Sequence, residues 1–127
     1  MTDSPKDRLE CNGFVAFHDE RSTATCLVLA MEGKIDNNNS YEINRKIHNL
    51  LQNPDFNCVL DLSKLEYINS TGIAILFSLF FRVKENERSF LIGSLHPFLE
   101  RIFQLMDFPP GLEITKDTDL AIERLQA

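Results

Sequence analysis

Residues 58–84, CVLDLSKLEYINSTGIAILFSLFFRVK, join a short apolar strand to a long apolar helix through a polar segment. Residues 58–62 are almost wholly apolar, which is the pattern of a strand buried inside a sheet. After a predicted turn over residues 63–67, residues 73–84 have the length and apolar content of a helix packed on that sheet. Asn69, Ser70, Thr71 and Gly72 stand just before the helix. The stretch therefore predicts a strand–turn–helix unit of an α/β fold.

Further strands and helices alternate on both sides of this unit. Upstream, residues 14–17 and 25–31 predict two strands, and residues 43–51 have helical spacing after a capping box formed by Asn39 and Glu42. Downstream, the sequence predicts a strand over 90–93 and a helix that begins at 97. An edge strand over 112–115 and a last helix after 117 are predicted to follow. This order predicts α/β architecture, with a mixed, largely parallel sheet of four to five strands covered by about four helices.

Length and composition favour one globular domain. The chain has 127 residues, and its first ten are polar, so we expect a loose N-terminal tail over 1–10 and a domain over 11–127. The net charge of -6, without a basic stripe, argues against a nucleic-acid partner. The longest apolar run, 73–81, is far shorter than the roughly 18 residues of a membrane span. Three cysteines without a CxxC pair indicate reduced thiols. We expect a cytoplasmic protein that does not contact membranes.

The residues offer little to catalysis. The three histidines are isolated and predict no metal site, and the chain has no Gly-rich phosphate loop, so no cofactor is expected. Asp61, at the end of a strand, suggests the phospho-acceptor of a receiver domain. A receiver also needs an acidic pair and a lysine after other strands, however, and only Glu32 and Asp36 follow the early ones. We expect Asp61 to cap the turn after its strand, and the chain not to be an enzyme.

Ser70 is the most suggestive residue, because it lies where a buried strand ends and an apolar helix begins. A hydroxyl there is held beside unpaired N–H groups at the positive end of the helix, which tolerates an added phosphate. The simpler alternative is that Ser70 or Thr71 only caps the helix, and spacing alone favours it.

Four motifs in the right order resemble the STAS domain and, within it, the bacterial anti-sigma factor antagonists. The resemblance covers the chain from about Phe14 to Leu125, and its motifs are EGKID at 32–36, VLDLS at 59–63, YINSTGI at 67–73 and FQLMDF at 103–108.

The resemblance implies functional residues. Ser70 would accept a phosphoryl group, with Asp36 beside it. Asn37, Asn69, Thr71 and Gly72 would complete the partner-binding residues. Asn69 departs from the family pattern, in which an aspartate precedes the serine. A kinase that recognises this aspartate would therefore be less certain to recognise the chain.

The resemblance also implies a mechanism. The unphosphorylated protein, acting as a monomer, would bind an anti-sigma factor, and this binding would release the sigma factor. The anti-sigma factor would also be a serine kinase that carries its own ATP. Phosphorylation of Ser70 would end the complex, and a serine phosphatase would reset it. The alternative is a STAS binding module in another role, such as a signalling-complex scaffold or a cytoplasmic transporter partner.

Overall fold

The computed structural model describes residues 8–52 and 55–126. One mixed sheet contains six strands whose spatial order follows the chain: β1 Arg8–Cys11, β2 Phe14–His18, β3 Cys26–Ile35, β4 Asn57–Ile68, β5 Phe90–Leu95 and β6 Glu113–Ile114. The first three strands are antiparallel neighbours, and β3 to β6 are parallel. The predicted α/β class and mixed, largely parallel sheet are confirmed, but the expected four to five strands were too few.

Helices cover both faces of the sheet. They are α1 Ser40–Lys46, followed by a 3₁₀ helix over Ile47–Leu51, then α2 Ser70–Glu85, α3 Pro97–Gln104 and α4 Thr118–Gln126. The larger core lies under α1, α2 and α3, where residues such as Ile43, Leu79 and Leu99 are fully buried. A smaller core, centred on Val59 and Ala121, lies under α4. Among the described helices, none has both the length and the apolar content that crossing a membrane requires.

The additional strand is β1, which begins inside the segment predicted to be a tail. Its exposed and buried residues alternate, with Leu9 and Cys11 facing the core. Asn12 and Gly13 then adopt φ values of 35° and 88° and connect β1 to β2 by a two-residue hairpin turn, for which Asn-Gly is the preferred sequence. Residues 8–10 are therefore strand, whereas 1–7 lie outside the described residues.

The strands β3 and β4 continue well past their predicted ends. Residues 63–67, expected to form a turn, belong to β4, and the parallel pairing with β3 runs to Ile35 and Ile68. Pairing with β5 stops earlier, at Leu62. The last third of β4 therefore has a strand neighbour on one side only, and its outer positions are polar because solvent reaches them. This extension carries the start of α2 to the end of the β3–β4 pair.

Candidate functional site

The candidate site forms where β3 and β4 end side by side. The backbone N–H of Asn69 donates to the carbonyl of Ile35 at 3.0 Å, so the last residue of β3 holds the first residue after β4. The loop that follows β3 and the first turn of α2 are consequently neighbours. Parallel pairing has thus brought together two segments that are more than thirty residues apart in the chain.

Asn69 caps α2 and also binds the loop after β3. Its Oδ1 accepts a hydrogen bond from the N–H of Gly72 at 2.8 Å, and its Nδ2 donates to Oδ1 of Asn37 at 3.0 Å. The alternative in which Ser70 or Thr71 caps the helix is therefore wrong. The amide satisfies a helix N–H that would otherwise lack a partner, and it fixes the position of the neighbouring loop.

Ser70 is the first residue of α2, and its side chain is exposed. Among the described residues, its hydroxyl makes no hydrogen bond. Thr71 is also exposed, and no charged side chain occurs in the helix from Ser70 to Phe81. The hydroxyl is therefore exposed on the first turn of a helix whose first twelve residues carry no charged side chain.

Gly72 anchors the start of α2 to the ends of both strands. It is buried, and a Cβ placed on it would come within 2.5 Å of Ile68 Cγ1 and 2.8 Å of Ile35 Cγ2. Both isoleucines are fully buried. The absence of a side chain at residue 72 therefore allows the helix carrying Ser70 to approach the sheet this closely.

Asp36 begins the loop after β3. Its side chain is half-buried, and its Oδ1 accepts from the N–H of Asn38 at 2.9 Å, which forms a tight local turn. Asn37 and Asn38 are exposed. Of the predicted partner-binding residues, the structure joins Asn37 to Asn69 by a hydrogen bond. Asp36 bonds within its own loop, and Thr71 makes no side-chain hydrogen bond among the described residues.

Asn39 does not form the predicted capping box. Its side chain makes no cap hydrogen bond to α1, although it stands at the cap position. Glu42 instead accepts from the Cys11 thiol at 2.9 Å and from Lys46 at 3.1 Å. The Asn39 amide is almost fully buried and bonds to backbone groups of β3 and of the β1–β2 turn. Sequence reasoning missed this contact, and the Asn12-Gly13 pair was the signal that could have revealed the turn.

Asp61 lies elsewhere, inside β4, and is 9% exposed. Burial alone would raise the pKa of this carboxyl, but hydrogen bonds from Ser63 and Arg21 outweigh burial and lower the pKa. The Arg21 guanidinium donates to it at 2.6 Å, and the Ser63 N–H at 3.0 Å. The turn that Asp61 was predicted to cap does not exist, because residues 63–67 continue β4. Asp61 accepts from Ser63 within the strand, and its ion pair with Arg21 stabilises the β2–β3 connection. Across residues 8–52 and 55–126, no three His, Cys, Asp or Glu side chains cluster as metal ligands would.

Comparisons with known proteins agree on the fold. Residues 19–121 match the family model of the STAS domain. An anti-sigma factor antagonist from Mycobacterium paratuberculosis has a TM-score of 0.71 at 17% identity, with 99% of this chain and 100% of the other covered. An anti-sigma-factor antagonist (STAS) domain protein from Planctomyces limnophilus has a TM-score of 0.68 at 17% identity, with 87% and 94% covered. The Bacillus cell fate determinant SpoIIAA, in its phosphorylated form, has a TM-score of 0.60 at 15% identity, with 86% of this chain and 97% of the other covered.

Proposed function

The chain belongs to the STAS domain family, and on this premise we propose that it is an anti-sigma factor antagonist switched off by phosphorylation of Ser70. The unmodified protein binds an anti-sigma factor, and binding releases the sigma factor. The anti-sigma factor is also a serine kinase and brings its own ATP. A serine phosphatase restores the unmodified form. The chain itself catalyses no reaction, and the cycle runs in the cytoplasm.

The observation that carries the proposal is the exposed, unbonded hydroxyl of Ser70 at the first position of α2. Asn69 supplies the cap, so the fold does not need the serine oxygen for stability. A kinase can therefore modify Ser70 without first breaking a hydrogen bond or opening the domain. Asn37 is exposed and bonded to Asn69, which directly precedes Ser70, and this supports a contact surface that includes the loop after β3.

Electrostatics explains how the modification would end binding. A phosphoserine adds a charge of about -1.5 to -2 at neutral pH. The first turns of α2 carry no charge, the half-buried Asp36 lies in the neighbouring loop, and the chain already has a net charge of -6. Burying the phosphate against a partner that offers no cation costs desolvation energy and adds repulsion. The phosphate itself disrupts the interface, so no refolding of the domain is required.

The experiment is a phosphorylation assay with two matched variants. The purified chain is incubated with ATP and, one at a time, with the serine-kinase anti-sigma factors of its source organism. We expect one phosphoryl group per chain, lost in Ser70→Ala and retained in Thr71→Ala, because the two hydroxyls are adjacent and both exposed. Phosphorylation that persists in Ser70→Ala would contradict the proposal.

A binding measurement tests the second half of the cycle. Ser70→Glu places a negative charge at the contact surface, so its affinity for the same anti-sigma factor should fall at least tenfold, as expected when like charges meet in an interface. Ser70→Ala should bind as the wild type does. If none of these anti-sigma factors binds or phosphorylates the chain, and a transporter or scaffold component binds instead, the chain is a STAS binding module with another role.

A further inference from the structure

The buried side chain of Asn39 ties together three segments of backbone. It is 2% exposed. Its Oδ1 accepts from the N–H of Asp36 at 2.9 Å, and its Nδ2 donates to the carbonyls of Lys34 at 2.8 Å and Asn12 at 3.1 Å. A single amide thus links the end of β3, the loop after it and the turn of the N-terminal hairpin. Such a fully satisfied buried amide fixes the relative position of the groups it bonds.

Other contacts hold the hairpin turn in the same place. The carbonyl of Gly13 accepts from the N–H of Lys34 at 3.1 Å, and a Cβ on Gly33 would clash with that carbonyl. On the other side, the Cys11 thiol donates to Glu42 in α1 at 2.9 Å. Burial, together with the neighbouring Glu42, raises the pKa of Cys11 to about 11, so the thiol keeps the proton that it donates. The turn is therefore fastened to β3 and to α1.

The contacts continue from Asn39 to the start of α2. Asn37 precedes Asn39 by two residues in the loop, and its Oδ1 accepts from Asn69, which caps the helix at Gly72. The sequence of contacts is hairpin turn, Asn39, loop, Asn69 and the first turn of α2. Every step is a hydrogen bond between described residues. The hairpin turn precedes the residues that match the family model, which begin at residue 19.

We propose that Asn39 is a positioning residue through which the N-terminal hairpin holds the Asp36–Asn38 loop against the start of α2. The hairpin thereby determines the shape of the surface around Ser70, although it does not contact Ser70 by any hydrogen bond in the described structure. The consequence for partner affinity rests on the function proposed above. The positioning itself is a property of the free chain.

Asn39→Ser is the informative variant. A serine at this position keeps an oxygen that can accept from the N–H of Asp36, so the local turn is preserved. It loses the amide donor to the carbonyls of Lys34 and Asn12, so the link to the hairpin is broken. Asn39→Ala removes both functions. If the alanine variant does not fold, the serine variant still tests the positioning.

The readout is amide hydrogen exchange of the free chain, followed by NMR at the N–H of Gly72. This N–H is bonded to the side chain of Asn69, so it reports on the last contact in the series. We expect Asn39→Ser to accelerate its exchange about fivefold, the amount that loss of one hydrogen-bonding restraint produces. As a matched control, Val59→Ala creates a cavity in the smaller core under α4. It lowers overall stability and should leave the exchange rate at Gly72 unchanged under native conditions.

A double-mutant cycle separates positioning from general loosening. Asn37→Ala breaks the bond to Asn69 directly, so adding Asn39→Ser to it should produce no further acceleration at Gly72. Independent, additive effects of the two substitutions, or an unchanged rate in Asn39→Ser, would overturn the proposal. Once a kinase is in hand, Asn39→Ser should raise its KM for the chain severalfold without changing kcat. A wild-type chain that no kinase phosphorylates would reject the proposed function, while the exchange data would still decide the positioning.

Discussion

Replacing Gly72 by alanine tests the close packing of α2 on the sheet. Alanine is the better helix former, and propensity alone would stabilise the protein by up to about 1 kcal/mol. The added methyl group, however, would stand 2.5 Å from Ile68 Cγ1 and 2.8 Å from Ile35 Cγ2. Both isoleucines are buried and β-branched, so neither can rotate away freely. Overpacking of this kind costs about 1–3 kcal/mol. We therefore expect a net loss of about 1 kcal/mol.

Urea unfolding of Gly72→Ala, compared with Ala74→Gly, provides the measurement. Ala74 is exposed in the same helix, so its replacement reports propensity alone and should cost about 1 kcal/mol. If Gly72→Ala gains as much stability as Ala74→Gly loses, the methyl group meets no obstacle and the reasoning fails. The first turn of α2 must also move to relieve the clash. The backbone amide of Ser70 should therefore shift in the NMR spectrum of Gly72→Ala and stay in place in Ala74→Gly.

Substitutions at three further positions test separate contacts by urea unfolding. Arg21→Gln leaves Asp61 largely buried without its cation and should lower the unfolding free energy by about 1–3 kcal/mol at pH 7. Because the wild-type ion pair lowers the pKa of Asp61, this loss should begin to shrink as the pH falls below 3.8 and should vanish only below the lowered pKa; a loss that does not shrink with acidification would contradict the ion pair. Asn69→Ala should cost about 1 kcal/mol, because the helix cap is lost, whereas Asn69→Asp should retain most of the stability; equal losses would exclude capping by the side-chain oxygen. Burial, and secondarily Arg82, lowers the pKa of His48, so the unfolded chain binds the proton more tightly and stability should fall as pH drops through about 6.5. His48→Gln should flatten that dependence.

The central part of the fold could be predicted because its chemistry is local. The apolar composition of residues 58–62 and 73–84 predicts a buried strand and an apolar helix. The alternation of strands and helices along the chain predicts the α/β class. The Asn-Ser-Thr-Gly segment was predicted to precede the helix, but only Asn69 does so, because α2 begins at Ser70, three residues earlier than predicted. Hydrophobic periodicity and turn residues within each short segment predict its secondary structure, so these elements could be assigned without knowing any tertiary contact.

The errors fall where tertiary contacts override local preference. Residues 63–67 look like a turn because four of the five are polar, yet pairing with β3 keeps them in a strand. Asn39 followed by Glu42 has the spacing of a capping box. In the structure, however, Asn39 donates to the carbonyl of Asn12 in the hairpin turn, and Glu42 accepts from the Cys11 thiol. The capping residue of α2 was misplaced by one or two positions for a similar reason. Asn69 is also held by Ile35 and Asn37, and a local pattern contains neither contact.

The hydroxyl of Ser70 is not needed to cap α2, because the side-chain amide of Asn69 caps the helix. Under the function proposed above, the atoms that stabilise the start of α2 and the atom that is modified are therefore different ones. A phosphate on Ser70 would stand at the positive end of α2, where an anion stabilises a helix by about 0.3–1 kcal/mol. The modified form should therefore melt at a slightly higher temperature and should be degraded no faster than the unmodified form, because degradation follows the unfolded fraction. Degradation would then not remove the modified form selectively, so a phosphatase would be needed to restore the unmodified form.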